Sequence, residues 1–282
     1  MKLILSRKGF DSQSGGMPNI ILPDGTLLSL PIPSEDGETT YHHIGYKGRT
    51  YYDIIKELRP NKAKILERDY ECRCHVDPDL TNKYIDSPDN WLPAFGQQGI
   101  SQLHLENHKV SVGDIFLFYG WFRQTEYDKN GKLRFLDKRK DDTVDKHIIY
   151  GYMEIGEIIT NQDEIRERFP YHPHALEKYS QNNALYLPSK TLSFDSSRNG
   201  CGVFNNAPIR QLTKARHKRS EWDLPDFFKD KDIEISYHEK DTYGWVDNYD
   251  YFKAAYRGQE FVVKKDMTDE MKEWVKDVIL SE

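Results

Sequence analysis

Three clusters of polar residues in this chain have the types and spacing to do chemistry. The first is Arg7-Lys8-Gly9-Phe10-Asp11-Ser12-Gln13-Ser14-Gly15-Gly16-Met17-Pro18, which follows the apolar run Leu3 to Ser6. Sites often sit in loops just past a strand end. Arg7, Lys8 and the backbone N–H groups around Gly15 and Gly16 suit a phosphate, and Asp11 suits a general base. The spacing matches neither the Walker nor the Rossmann glycine pattern, and a polar surface loop is the bland alternative. The second cluster is Cys72, Cys74, His75, Asp77 and Asp79. Cys-x-Cys-His lacks the two-residue spacer and the second pair of a zinc module, so no metal is expected. The alternation Tyr70, Cys72, Cys74, Val76 reads instead as a strand with one apolar face. It turns His75 and Asp77 the other way, with Asp77 a second candidate base or a ligand for a ribose hydroxyl; a solvated turn is the plainer reading.

The third cluster is Arg210 to Trp222, with Arg210, Lys214, Arg216, His217, Lys218, Arg219, Ser220 and Trp222. Five Lys and Arg in ten residues, with no acid among them, stand in a chain of net charge −6. That local inversion is the pattern of a phosphate-contact surface, against the alternative of a solvated basic loop. Trp222 is a candidate stacking partner for a base. Gln97 and Gln98, flanked by glycines, suit a base edge or a helix cap. His172 and His174 are two apart rather than four, which weakens a metal reading.

The elements that must position these clusters centre on Val110 to Ile159. Val112-Gly113-Asp114 is a turn signal that runs into Ile115-Phe116-Leu117-Phe118-Tyr119-Gly120-Trp121-Phe122, a strand buried on both faces. Asn130-Gly131 predicts a hairpin, Lys132 to Leu136 a return strand, and Asp137 to Lys146 a charged crossing. His147 to Ile159 then predicts a third strand, so the expectation is a β-meander. A Gly-Asp turn into a strand ending in Tyr-Gly, then a strand patterned around Gly151 and Gly156, resembles the small barrels of the PUA/ASCH/EVE type. That resemblance implies binding of RNA or modified nucleobases.

Elsewhere the pattern predicts strands at Leu3 to Ser6, Ile20 to Leu22, Thr26 to Leu30, Ala184 to Leu187, Leu192 to Phe194, Gly200 to Phe204, Ile233 to Tyr237 and Phe261 to Val263. Tyr51 to Leu58 predicts a helix that stops at Pro60, Ile100 to Glu106 one that buries Ile100, Leu103 and His104, and Asn161 to Phe169 another. A last helix runs from Asp269 to about Leu280, with Met271, Trp274, Val275, Val278 and Ile279 on one face. The fold class is therefore α+β, a mixed or antiparallel sheet with flanking helices, expected as one domain over 1–282. Three cysteines make no disulfide framework, no apolar run reaches the roughly 20 residues of a membrane span, and the N-terminus lacks a secretion signal. A cytoplasmic protein is expected.

Several stretches together resemble one family. They are Leu5-Ser6-Arg7-Lys8-Gly9-Phe10-Asp11-Ser12 with Gly15, Gly16 and Pro18; Leu28-Ser29-Leu30-Pro31-Ile32-Pro33; Gly113-Asp114-Ile115 through Arg123; and Arg219-Ser220-Glu221-Trp222-Asp223-Leu224-Pro225. This is similar to the Nucleotide modification associated domain 3 family of bacteria and phages. The resemblance implies association with DNA or nucleotide modification, brings no established catalytic residues and no cofactor, and makes Arg7, Lys8, Asp11, Gly15, Gly16, Gln97, Trp121, Arg219, Ser220 and Trp222 candidates for a shared site. The leading expectation is a protein that binds or modifies a nucleotide or nucleic-acid base, with Asp11 or Asp77 as base, Arg7, Lys8 and Arg219 on phosphate, and Trp121 or Trp222 stacking. The alternatives are a non-catalytic module for modified bases or nucleic acid, and a partner-binding protein.

Overall fold

Ile115 to Phe122 offers almost no polar side chain to either face, so its strand must be covered on both. The computed structural model describes residues 1–138, 144–176, 178, 181–238, 242–245 and 250–281, and places that strand, Ile115–Tyr127, at the centre of a ten-stranded mixed sheet. The main path runs Glu260–Val262, Leu3–Arg7, Ile115–Tyr127, Asp145–Ile159, Asn183–Pro188, Phe95–Gln98. Leu3–Arg7 pairs in parallel with the central strand and Asn19–Ile21 does so further along it; the other pairings on the path are antiparallel.

The hairpin at Asn130-Gly131 forms, and Leu133–Phe135 returns against the central strand. The third strand does not pair with the return strand, as a meander requires. Asp145–Ile159 pairs directly with Ile115–Tyr127 over most of its length. The reason is burial: three hairpin residues can cover only the tip of a thirteen-residue apolar strand, and the fifteen-residue strand covers the rest. The charged crossing from Asp137 to Lys146 lies partly outside the described residues, as does the Tyr-rich stretch before Tyr256.

Alternation along Leu3–Arg7 divides the core. Leu3, Leu5, Leu117 and Tyr119 face a cluster that includes Trp222, Phe252 and the C-terminal helix Asp269–Leu280. Ile4, Phe116 and Phe118 face Phe95, Tyr186 and the helix Gly99–Asn107. A further cluster gathers the helices Tyr51–Leu58 and Pro60–Tyr70 with Phe10, Met17 and Phe135. Pro60 thus opens a second helix instead of only ending the first. It stands at the first helical position, where its missing N–H is not needed.

Two other expectations are corrected. In Gly99–Asn107 the inward residues are Gln102 and Leu105, while Ile100 is 84% exposed and Leu103 45%. Gln102 is tolerated inside because its amide oxygen accepts from the Tyr186 hydroxyl and its nitrogen donates to Glu106. Ile233 to Tyr237 gives only an isolated bridge, Ile235 to Val263, in place of a strand. Among the described residues no helix is long and apolar enough to cross a membrane.

At the end of the central pair, Asp145 lies opposite Arg123 and accepts its Nε and Nη2 N–H groups, at 2.7 and 2.9 Å, together with the Trp121 indole N–H at 2.8 Å. Burial alone would raise the Asp145 pKa, but these donors and the Arg123 charge outweigh it and leave it lowered. A carboxylate with a lowered folded pKa stabilises fully above its unfolded value and loses that contribution as pH falls through the folded one. Asp145→Asn is therefore expected to cost about 3 kcal/mol near neutral pH, because it strands a buried guanidinium. In urea denaturation that penalty should shrink below about pH 4; a penalty constant with pH would show that the carboxylate charge is not what holds Trp121 and Arg123.

Candidate functional site

The site begins where Leu3–Arg7 ends. Because side chains alternate, Arg7 points to the same face as Tyr119 and Trp121, and Lys8 goes to the other. The loop that follows is tied down by Asn19, fully buried, whose amide oxygen accepts from Phe10 and Leu30 N–H and whose nitrogen donates to the Phe10 and Trp121 carbonyls. Asp11 closes the loop on itself, accepting the Gln13 and Ser14 N–H groups at 2.7 Å each. Gly15 takes φ +81°, and a side chain there would meet the Phe10 ring, so this glycine serves the loop's shape.

Two adjoining pockets flank this loop, and Arg7 and Asp11 line both. The smaller, about 150 Å³, is bounded by Arg7, Asp11, Ser12, Trp121, Arg219 and Tyr256. Arg219 lies over Trp121, its guanidinium carbon 4.3 Å from the ring centre, and reaches Ser12 Oγ at 3.4 Å. Arg7 donates to the backbone carbonyls of Tyr256 and Gly258. Two cations, neither ion-paired to a carboxylate within 4 Å among the described residues, and two aromatic rings thus share one hollow.

The larger pocket, about 340 Å³, carries the acid and imidazole groups: Asp77, His75 and His174, with Lys8, Gln97 and Gln259. The strand expected over Tyr70, Cys72, Cys74 and Val76 is corrected: Tyr70 ends the helix Pro60–Tyr70, Glu71 and Cys72 turn at positive φ, and only Cys74–His75 is strand, though His75 and Asp77 do line the cleft. His174 comes from a 3-10 turn, Pro173–Ala175. Asp77 Oδ2 stands 3.9 Å from His75 Nε2 and 4.0 Å from His174 Nε2, and its Oδ1 stands 3.6 Å from His172 Nε2. Oδ1 also accepts the Gly96 N–H at 2.6 Å. Burial pushes the Asp77 carboxyl up to about 7 against the opposing pull of Lys8 and the Gly96 N–H. Burial likewise lowers His174 to about 4 and His75 and His172 well below the usual imidazole range, so all three rings are neutral near pH 7. His75, Asp77 and His174 each offer one atom within 4.8 Å of the others, a set that could hold a cation.

Other candidates are placed differently. Lys8 lines the cleft, but its Nζ is ion-paired with Glu260 at 2.7 Å, so its charge is already matched. Gln97 is 6% exposed and donates to the same Glu260 oxygen. Gly16 does not line either pocket. Trp222 is fully buried, with Tyr119 and Phe252 against its ring and its N–H donated to His147 Nδ1, so no face is left for a base. Arg210 is 3% exposed and its guanidinium is spent on the carbonyls of Val278, Asn205 and Ser281. Lys214 is paired with Asp250, and the Ser220 carbonyl accepts from Ala254. Of the basic run, Arg219 alone enters the pockets. His174, Gly96, Glu260 and Tyr256 were not singled out for the site from sequence. Glu260 carried a signal, a lone acid opening the apolar run Phe261-Val262-Val263; His174 was weighed with His172 as a metal ligand, a reading their spacing weakened, and its partners His75 and Asp77 lie far along the chain.

The architecture is thus an α+β protein with a mixed sheet and a polar double pocket at one strand end. The profile described as Nucleotide modification associated domain 3 matches residues 2–264, and the chain belongs to that family. No curated protein and no solved structure matches it significantly.

Gly96 has no room for a side chain, because a Cβ built on it lands on the His174 ring. Gly96→Ala should therefore cost about 1–3 kcal/mol in urea denaturation and move the His174 imidazole signals in NMR spectra. Unchanged stability with unchanged His174 signals would show that the ring is not seated on Gly96.

Proposed function

We propose that the double pocket binds a nucleotide, free or within a nucleic-acid strand, and that the chain acts chemically on it. The observation that carries this reading is the sharing of Arg7 and Asp11 by a cationic, aromatic pocket and an acid-imidazole pocket. Arg7 and Arg219 meet phosphate oxygens, since guanidinium donors match their geometry. Tyr256, 66% exposed, gives a base a ring to stack on. The sugar or base then extends past Asp11 toward Asp77, whose raised pKa suits proton transfer near neutral pH. The family's association with nucleotide modification supports the same reading.

The test is binding of a labelled short single-stranded DNA and of a mononucleotide to wild type, Arg7→Ala, Arg219→Ala and the double variant. Each single change should weaken both ligands about tenfold, the loss of one charge-assisted contact. For the strand, the double variant should reduce the slope of log affinity against log salt by about 1.4, two contacts at about 0.7 each. Arg216→Glu with Lys218→Glu should weaken only the strand if the basic rim extends the site. Equal affinity of the Arg variants and wild type would overturn the reading. Asp77→Asn that binds normally and retains full turnover would remove Asp77 from the chemistry, while binding by wild type with no turnover would leave a binding module in place of an enzyme.

A further inference from the structure

We propose that His75, Asp77 and His174 form a binding site for one divalent first-row transition cation. The proposal does not depend on nucleotide binding. Two ligand atoms on one such cation, with bonds of about 2.1 Å, lie at most about 4.2 Å apart. The Asp77 oxygen is 3.9 Å from the His75 nitrogen and 4.0 Å from the His174 nitrogen, so both pairs already meet that limit. His75, Asp77 and His174 each offer one ligand atom within 4.8 Å of the others.

The hydrogen bonds at His174 and Asp77 are those of oriented ligands. Asn183 donates its amide N–H groups to Gln162 and to the His174 carbonyl, so its oxygen must accept, and it lies 2.6 Å from His174 Nδ1. That contact puts the His174 proton on Nδ1 and leaves the lone pair on Nε2, the atom beside Asp77. A ligating imidazole that donates its other N–H to an oxygen is the usual supporting arrangement of a metal site. His172 stands behind the same carboxylate. His172 is 2% exposed, and its Nδ1 accepts the His174 backbone N–H, which puts its proton on Nε2. That Nε2 is buried without a hydrogen-bond partner and lies 3.6 Å from Asp77 Oδ1. With Gly96 N–H already on Oδ1, Asp77 is braced on one oxygen and presents the other to the two imidazoles.

Two imidazoles and one carboxylate select a transition cation over Ca²⁺ or Mg²⁺, which favour all-oxygen shells. Three protein ligands leave coordination positions facing the cleft for water or an oxygen of a bound molecule. The site is thus of the open kind found where a metal takes part in chemistry. Asn183 and His172 are positioning residues in it.

The experiment uses the full chain, stripped with a chelator and titrated with Co²⁺ in the absence of nucleotide. Visible d–d absorption reports the geometry, and Zn²⁺ competition the affinity. One saturable equivalent is expected, displaced by Zn²⁺ and not by excess Mg²⁺ or Ca²⁺. His174→Ala and Asp77→Asn should weaken it at least about a hundredfold, and Asn183→Leu about 10–100-fold. Asn183→Asp keeps the acceptor for His174 Nδ1 and should hold affinity within about tenfold, which separates orientation from loss of fold; circular dichroism checks each variant. Absence of a saturable equivalent in wild type overturns the proposal. So does binding by His174→Ala and Asp77→Asn as tight as wild type, or equal affinity of Asn183→Leu and Asn183→Asp.

Discussion

Lys8 and Glu260 meet at 2.7 Å with side chains only 9% and 1% exposed, and much of the cleft depends on that contact. Two charges so far from water lose most of their hydration, and their attraction offsets this only with good geometry and further donors. Sheet pairing supplies the geometry: Ser6 lies opposite Glu260 across the edge strands, so the carboxylate stands beside the point where Lys8 leaves the sheet. Gln97 donates to the same oxygen, and Lys8 Nζ lies 4.6 Å from the Phe95 ring centre. Glu260 Oε2 is buried without a partner, so the carboxylate is held on one side only. Removing Lys8 would leave Glu260 without its partner charge and take from Asp77 the cation that opposes the effect of its burial.

That contact also sorts the two cations at the strand end. Lys8 goes to the face where Glu260 and Asp77 wait, and its charge is consumed there. Arg7 goes to the face of Trp121 and Arg219, donates to neutral carbonyls, and keeps its charge for whatever enters the pocket. The result is a polarity across the double pocket, cationic and aromatic at one end, acidic and imidazole-rich at the other, set by the twofold alternation of one strand. Asp11 stands at the junction with one oxygen committed to the loop's own N–H groups.

Much of this was legible in the sequence where local pattern decides structure. The central strand, the Asn130-Gly131 hairpin, the first and last helices and the polar loop after Arg7 all follow from periodicity and turn chemistry. His75 and Asp77 do share the cleft, but the strand invoked for it is only Cys74–His75, because Tyr70 ends a helix and Cys72 turns at positive φ. What was not legible was set by long-range partners. Trp222 beside a basic run reads as a stacking residue, yet the sheet needs its ring to fill the space between Tyr119 and Phe252. Arg210 reads as a phosphate ligand, yet the last carbonyls of the C-terminal helix need its donors. The strand order failed for a similar reason: local spacing proposes the nearest neighbour, while burial of a long apolar strand selects the neighbour that covers most of it.

The acid-imidazole cluster shows the same limit from the other side. Its members come from a short strand and the turn after it, a 3-10 turn and the backbone of an edge strand, and no spacing rule connects His174 to the rest. Their positions are nonetheless heavily determined. Gly96 admits the His174 ring by lacking a side chain, Asn183 fixes which nitrogen carries its proton, and the Gly96 N–H holds one Asp77 oxygen. A buried carboxylate among neutral imidazoles is an expensive arrangement for a fold that needs only packing, because burial disfavours its charge and apolar residues would fill the space at lower cost. Asp77 divides its two oxygens between these demands: Oδ1 is taken by the backbone N–H that positions it, and Oδ2 is turned toward the two Nε2 atoms at the cleft. The oxygen bound to the backbone holds the fold together, and the other stands among the imidazoles that line the cleft.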